Sequence, residues 1–199
     1  MALSRSLEPV PLSAAERRTL VAVAARALTA AVGERPPAPP VIASQRLRAP
    51  GASFVSLHRA GELRGCIGTI EPRRPLVEDV ASNARAAALD DARFEPVVAA
   101  ELGELEVELS VLSPLARVAA RSRDELLAAL RPGLDGLVLE DGGCRATFLP
   151  VVWRQLPEPE LFLAHLERKA GLEVGHWSAT LRVARYVVES FAGRAGGDG

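Results

Sequence analysis

The chain has 199 residues, with 48% hydrophobic and 25% charged side chains, the composition of an ordinary globular protein long enough for a sizeable core. A formal net charge of −1 and only 4% aromatic residues remove the electrostatic case for a nucleic-acid binder and weaken the case for base stacking. No apolar run approaches the ~20 residues of a membrane span, and an early acid followed by two prolines argues against a secretory leader, so a cytoplasmic chain is expected.

In chain order, Ser13 and Glu16 form a capping box ahead of an Ala/Leu/Val helix reaching about Val32. Pro36 to Pro40 reads as a stiff extended linker. Phe54 to Arg59 is a strand, Ala60 to Glu62 its turn, and Leu63 to Ile70 the return strand, together a hairpin with a three-residue loop. In that register Val55, Leu57, Leu63 and Ile67 share one face, and Ser56, His58, Arg64 and Cys66 share the other. A helix from Leu76 to Leu89 follows, carrying Asp79, Asn83 and Arg85, and then a charged turn from Asp90 to Pro96.

Glu104 to Leu112 alternates apolar and polar as a half-buried antiparallel strand. Ser122 and Glu125 open a short helix ending near Gly133. Leu134 to Glu140 and Arg145 to Leu149 make a second hairpin, Pro157 to Lys169 a helix closed by Gly171, and Leu181 to Phe191 one final strand. Strands that alternate and pair as hairpins indicate an α+β fold with antiparallel sheet rather than a doubly wound parallel one. The expected organisation is a single domain over residues 10–192, with flexible termini at 1–9 and 193–199.

The chemistry concentrates between Leu63 and Ile70. A cysteine between two glycines, next to an arginine, is an unusual demand for packing alone. One reading makes Cys66 a nucleophile or redox thiol, His58 its base and Arg64 an anion clamp. The other makes Cys66 a buried inert thiol behind a solvated basic rim. Arg64, Arg93 and Arg145 form an anion site if the fold brings them close. Cys66 and Cys144 are expected to be reduced. There is no Cys-x-x-Cys, and His58, His165 and His176 lack ligand spacing, so neither a metal nor a cofactor is expected.

The run Leu63-Arg64-Gly65-Cys66-Ile67-Gly68, then Pro75, Leu76, Asp79, Val80 and Asn83, then Asp91 to Phe94 and Pro96, resembles the AMMECR domain family. The likeness continues through Leu105 to Leu112 and through Ala146 to Pro150, Trp153, Phe162 and Gly171. The family is known in prokaryotes as AmmeMemoRadiSam system protein A. The resemblance implies an α+β fold with a larger and a smaller lobe, and an association with a radical SAM protein and a Memo-like protein. It implies no settled reaction. Its signature positions here are Leu63 to Gly68, with Asn83, Asp91, Arg93 and Phe94 as a second block and Arg145, Thr147 and Trp153 as a third.

With no complete catalytic set in view, the expected function is an accessory binding module for a small anionic molecule, a peptide or a nucleic-acid fragment. Its binding residues would be Arg64, Gly65, Gly68, Asn83, Asp91, Arg93, Phe94 and Arg145. The alternative is an enzyme acting through Cys66 and His58.

Overall fold

The computed structural model describes residues 11–195, which form two units, 11–112 with 189–195 and 113–188. In the first unit, α1 (Ala14–Ala31) starts where Ser13 Oγ accepts the Glu16 N–H at 3.2 Å and Glu16 returns a carboxylate to the Ser13 N–H at 2.7 Å, the predicted capping box. A one-turn α2 (Gln45–Arg48) leads into β1 (Pro50–Arg59), β2 (Glu62–Gly68), the two-residue β3 (Arg74–Pro75) and α3 (Leu76–Leu89), whose bounds are those read from the sequence. After a 3-10 turn at Ala99–Glu104 comes β4 (Leu105–Leu112).

β1 pairs antiparallel with β2, β4 and β3, and the sheet order is β2-β1-β4-β9, where β9 is Val188–Arg194. Val55 and Leu57 of β1, Val107 and Leu109 of β4, Leu20 and Leu28 of α1 and Val80 and Ala84 of α3 are all fully buried in one core. Each such Leu or Val contributes on the order of 1.5–3 kcal/mol of burial, so the helices are held on the sheet chiefly by this face. The opposite face of the sheet carries Ser56, His58, Cys66 and Glu108.

The second unit contains β5 (Ala116–Arg117), α4 (Arg123–Ala129), β6 (Gly136–Asp141), β7 (Cys144–Phe148), α5 (Pro159–Ala170) and β8 (Arg182–Tyr186), with sheet order β5-β8-β6-β7. Trp153 lies flat on Phe162 at 3.7 Å between centroids, and Phe148 meets Phe162 edge-on at 5.3 Å. Trp153 Nε1 donates to the Asp135 carbonyl at 2.6 Å, so this indole is a core residue.

Two expectations are corrected. The single strand over 181–191 is two strands in different sheets, because the N–H and C=O of Val187 leave the ladder to pair with Ser113. Residues 193–195 are ordered, since Gly193 and Arg194 belong to β9 and Ala195 is buried with its N–H on the Leu105 carbonyl at 3.1 Å. The flexible stretch expected at 1–9, and the remainder of the one after 195, lie outside the described residues.

Candidate functional site

The hairpin that carries the signature differs from the expected one in a way that matters. β1 ends at Arg59 and β2 begins at Glu62, so the loop is Ala60 and Gly61 alone, both with positive φ (51° and 82°). That is the left-handed backbone that two-residue hairpin loops require. The missing residue is returned by a bulge: Ser56 faces Cys66 and Leu57 faces Gly65, but His58 faces Leu63 and Arg59 faces Glu62. Arg64 is therefore the extra residue. Leu63 falls on the polar face beside His58 and is exposed, whereas the sequence pattern set it among the apolar residues.

Freed from the ladder, Arg64 is consumed by the protein. Its Nε and Nη2 hold the two carboxylate oxygens of Glu101 at 2.9 and 3.0 Å, and Nη1 and Nη2 donate to the carbonyls of Glu95 and Pro96 at 2.6 and 3.3 Å. The Arg64 guanidinium keeps the Glu101 carboxyl below its usual range. Arg64 thus braces the chain around Glu101 in the place where an anion clamp was expected, with four of its five N–H donors given to the protein.

The glycines are explained the same way. A Cβ on Gly65 would sit 2.1 Å from the Ala87 carbonyl oxygen of α3, and one on Gly68 would sit 2.2 Å from the Phe54 ring. Close approach of backbone and of an aromatic ring demands glycine at both positions, a packing reason that stands without a ligand.

Cys66 occupies the edge strand β2 with its N–H and C=O turned away from β1. Asp91 Oδ2 accepts the N–H at 2.8 Å and Arg93 Nη2 reaches the C=O at 3.4 Å, while Arg93 also forks onto both oxygens of Asp91 at 2.9 and 2.7 Å. This pair caps an otherwise open sheet edge. The Arg93 guanidinium first, and then the Cys66 N–H, hold the buried Asp91 carboxyl well below the usual carboxylate range. Asp91, and more weakly Cys66, push Arg93 above its ordinary value. Even so, 59% of the Arg93 side chain is exposed, with its guanidinium carbon 5.3 Å from the half-buried Phe94 ring.

The thiol itself receives the Ser56 hydroxyl, at 3.3 Å from Oγ to Sγ. His58 does not serve it. It lies two residues further along β1, about 7 Å on at strand spacing, and its Nδ1 is drawn toward Glu108 at 4.0 Å. The expected Cys–His pair is therefore not formed, since a base must come within hydrogen-bond reach of its nucleophile.

Asn83 is buried and donates to the Ser53 carbonyl at 2.9 Å and to Asp79 at 3.0 Å. Asp79 also accepts the Ser53 N–H and hydroxyl and the Thr69 hydroxyl. This network pins α3 under β1. Arg145 is exposed on β7 of the second unit, opposite Glu140. The sequence reading missed Glu101 and Ser53, which sit in an unremarkable alanine-rich run and an ordinary strand. The acid three residues after Val98, taking that residue's N–H at 3.0 Å, was the only local signal for Glu101. Among the described residues no group of His, Cys, Asp and Glu is arranged to hold a metal ion, and no helix is long and apolar enough to cross a membrane.

A two-unit α+β chain whose signature hairpin is locked by Asp91 and Arg93 defines a class of protein. The AMMECR1 family model matches residues 21–191, and the chain belongs to that family. A protein from Methanothermobacter thermautotrophicus is 36% identical over 184 residues, covering 91% of this chain and 96% of the relative. Protein MJ0810 from Methanocaldococcus jannaschii is 38% identical over 146 residues, covering 69% of this chain and 71% of that one. The crystal structure of the uncharacterised protein PH0010 from Pyrococcus horikoshii superposes with a TM-score of 0.73 at 34% identity, over 87% of this chain and 89% of that one.

Proposed function

We propose that this chain is a cytoplasmic binding module that receives a small anionic group, carboxylate or phosphate, at Arg93 beside Cys66 and Ser56. The observation that carries this reading is the state of Arg93: fixed in place by Asp91, yet more exposed than buried. A guanidinium held through Nε and Nη2 keeps its two Nη1 donors for a ligand, with little side-chain entropy left to lose on binding. Arg64, by contrast, gives four of its five N–H donors to the protein, and Gly65 and Gly68 are close-packed against Ala87 and Phe54. The radical SAM and Memo-like proteins implied by the family resemblance are the proposed partners, one of them supplying or receiving the anionic group.

The test uses inorganic phosphate as the probe and backbone amide resonances as the readout. Phosphate is expected to shift the amides of Cys66, Arg93 and Phe94 in the full chain and to leave them unmoved in Arg93→Ala. Amides that do not move at any phosphate concentration reached would overturn the anion site. Mixing the chain with the purified radical SAM and Memo-like proteins tests the partners, and absence of a complex with either would remove them. The partly exposed Cys66 thiol with its Ser56 hydrogen bond favours a second reading, a nucleophilic or redox cysteine.

A further inference from the structure

The second unit has an open concavity of about 520 Å³, within the size range of small-molecule sites. Its floor is apolar, made by the buried Leu126 and by Leu181, and its rim carries Arg117, Arg121, Glu125 and Trp177. Trp177 is 39% exposed, the opposite of Trp153, which is buried against Phe162. An indole partly open to water at a pocket offers a flat surface for another ring.

The loop that carries Trp177 is also pinned. The neighbours of Trp177 on both sides are bonded to one carboxylate: His176 Nε2 lies 2.6 Å from Asp141 Oδ2, and Ser178 Oγ donates to the same oxygen at 2.5 Å. Thr180 Oγ1 donates to Asp141 Oδ1 at 2.6 Å, and Gly175 N–H donates to the buried Glu167 at 2.8 Å. Ser178 Oγ additionally accepts the N–H groups of Thr180 and Leu181. The loop therefore has little freedom to lose when a ligand arrives, which is what preorganisation means energetically.

The charges on the rim are unequal. Glu125 is already engaged, its Oε2 accepting the Arg121 N–H at 2.8 Å. Among the described residues, no ion pair involves the side chains of Arg117 or Arg121, and both residues are exposed. Two guanidiniums outside any ion pair, lining the same concavity as a partly exposed indole on a pinned loop, match a planar ring bearing a dianion.

We propose that this concavity binds a nucleoside monophosphate, with Trp177 stacking on the base and Arg117 and Arg121 holding the phosphate. The site lies wholly within residues 113–188 and does not rest on the Arg93 reading.

The experiment titrates adenosine 5′-monophosphate into the full chain at low salt and reads tryptophan fluorescence, with calorimetry for the variants. Trp153 supplies a constant background, so quenching reports Trp177, and Trp177→Phe abolishes the signal. Trp177→Ala is expected to weaken binding by about 10-fold or more, the scale of one base–aromatic stack. Arg117→Ala and Arg121→Ala are each expected to weaken it by about 10-fold and to flatten its salt dependence. Adenosine and inorganic phosphate, tried separately, should each bind at least about 10-fold more weakly than the nucleotide. All of these side chains are on the surface, and Arg85→Ala serves as a folded control outside this unit. No binding of the nucleotide, unchanged affinity in Trp177→Ala or in the double arginine variant, or adenosine binding as tightly as its monophosphate would each overturn the proposal.

Discussion

Two loops in this protein are held by a buried aspartate, and they end in opposite conditions. In the first unit Asp91 gathers the Cys66 N–H and the Arg93 fork, and the residues around it turn inward on one another: Arg64 on Glu101, Gly65 under Ala87, Gly68 under Phe54. In the second unit Asp141 gathers His176, Ser178 and Thr180, and the loop so fixed turns Trp177 outward. The same device welds a sheet edge in one place and presents an aromatic ring in the other. Much of the density of the first motif is spent on holding itself, and Arg93 is the part of it that stays largely exposed.

The largest effect that would break this contrast is at Asp79. Asp79→Ala leaves the Ser53 N–H and hydroxyl and the Thr69 hydroxyl without their acceptor, removes one of the acceptors of the Asn83 amide, and should cost about 4 kcal/mol in urea unfolding. A loss below about 1 kcal/mol would mean that the network is not structural. Gly65→Ala comes next. The added methyl meets a backbone oxygen that cannot rotate away, so a loss of about 3 kcal/mol is expected, with β2 exchanging its amides faster. If that variant were as stable as the parent, the glycine would have to be explained by a ligand after all.

Acid separates the two aspartates more gently. Both carboxyls are held below their unfolded value, so the stability they contribute is present above the ~3.9 of a free Asp and is lost as pH falls. For Asp141 the His176, Ser178 and Thr180 hydrogen bonds carry the carboxyl down to about 2, so its loop should loosen as the solution is taken from about pH 4 toward that value. Trp177 emission should report the change, and Asp141→Asn should already show the loosened emission at neutral pH with little further acid response. The smallest effect belongs to a pair with no such role. Arg85 and Asp90 are both more than half exposed, and Arg85→Ala should change stability by no more than about 0.5 kcal/mol.

What the sequence made legible follows from the range of the interactions. The capping box at Ser13, the bounds of α3 and the alternation of β4 are local, and each appears where the pattern put it. The hairpin was misread by one residue because Glu62 resembles a turn residue and the bulge at Arg64 leaves no mark in composition. That single residue moved Leu63 to the other face and left Arg64 without a partner in the ladder. The partners of Arg64 and Asp79 lie far along the chain, at Glu101 and Ser53, and no short-range pattern announces them. Trp177 was passed over for a related reason, since its exposure depends on a carboxylate 36 residues upstream that pins the residues on either side of it.

The most direct test of the central claim, that the signature hairpin is a structural weld exposing a binding arginine and not an activated thiol, is alkylation of Cys66 across pH with Cys144 as internal reference. Both cysteines are free and partly exposed. With Ser56 as the hydrogen-bond partner of Cys66 and His58 drawn toward Glu108, the account predicts no rate advantage of Cys66 over Cys144 near pH 6. Rapid modification of Cys66 at that pH while Cys144 stays slow, abolished by Arg93→Ala or His58→Ala, would contradict it and make Cys66 the reacting group.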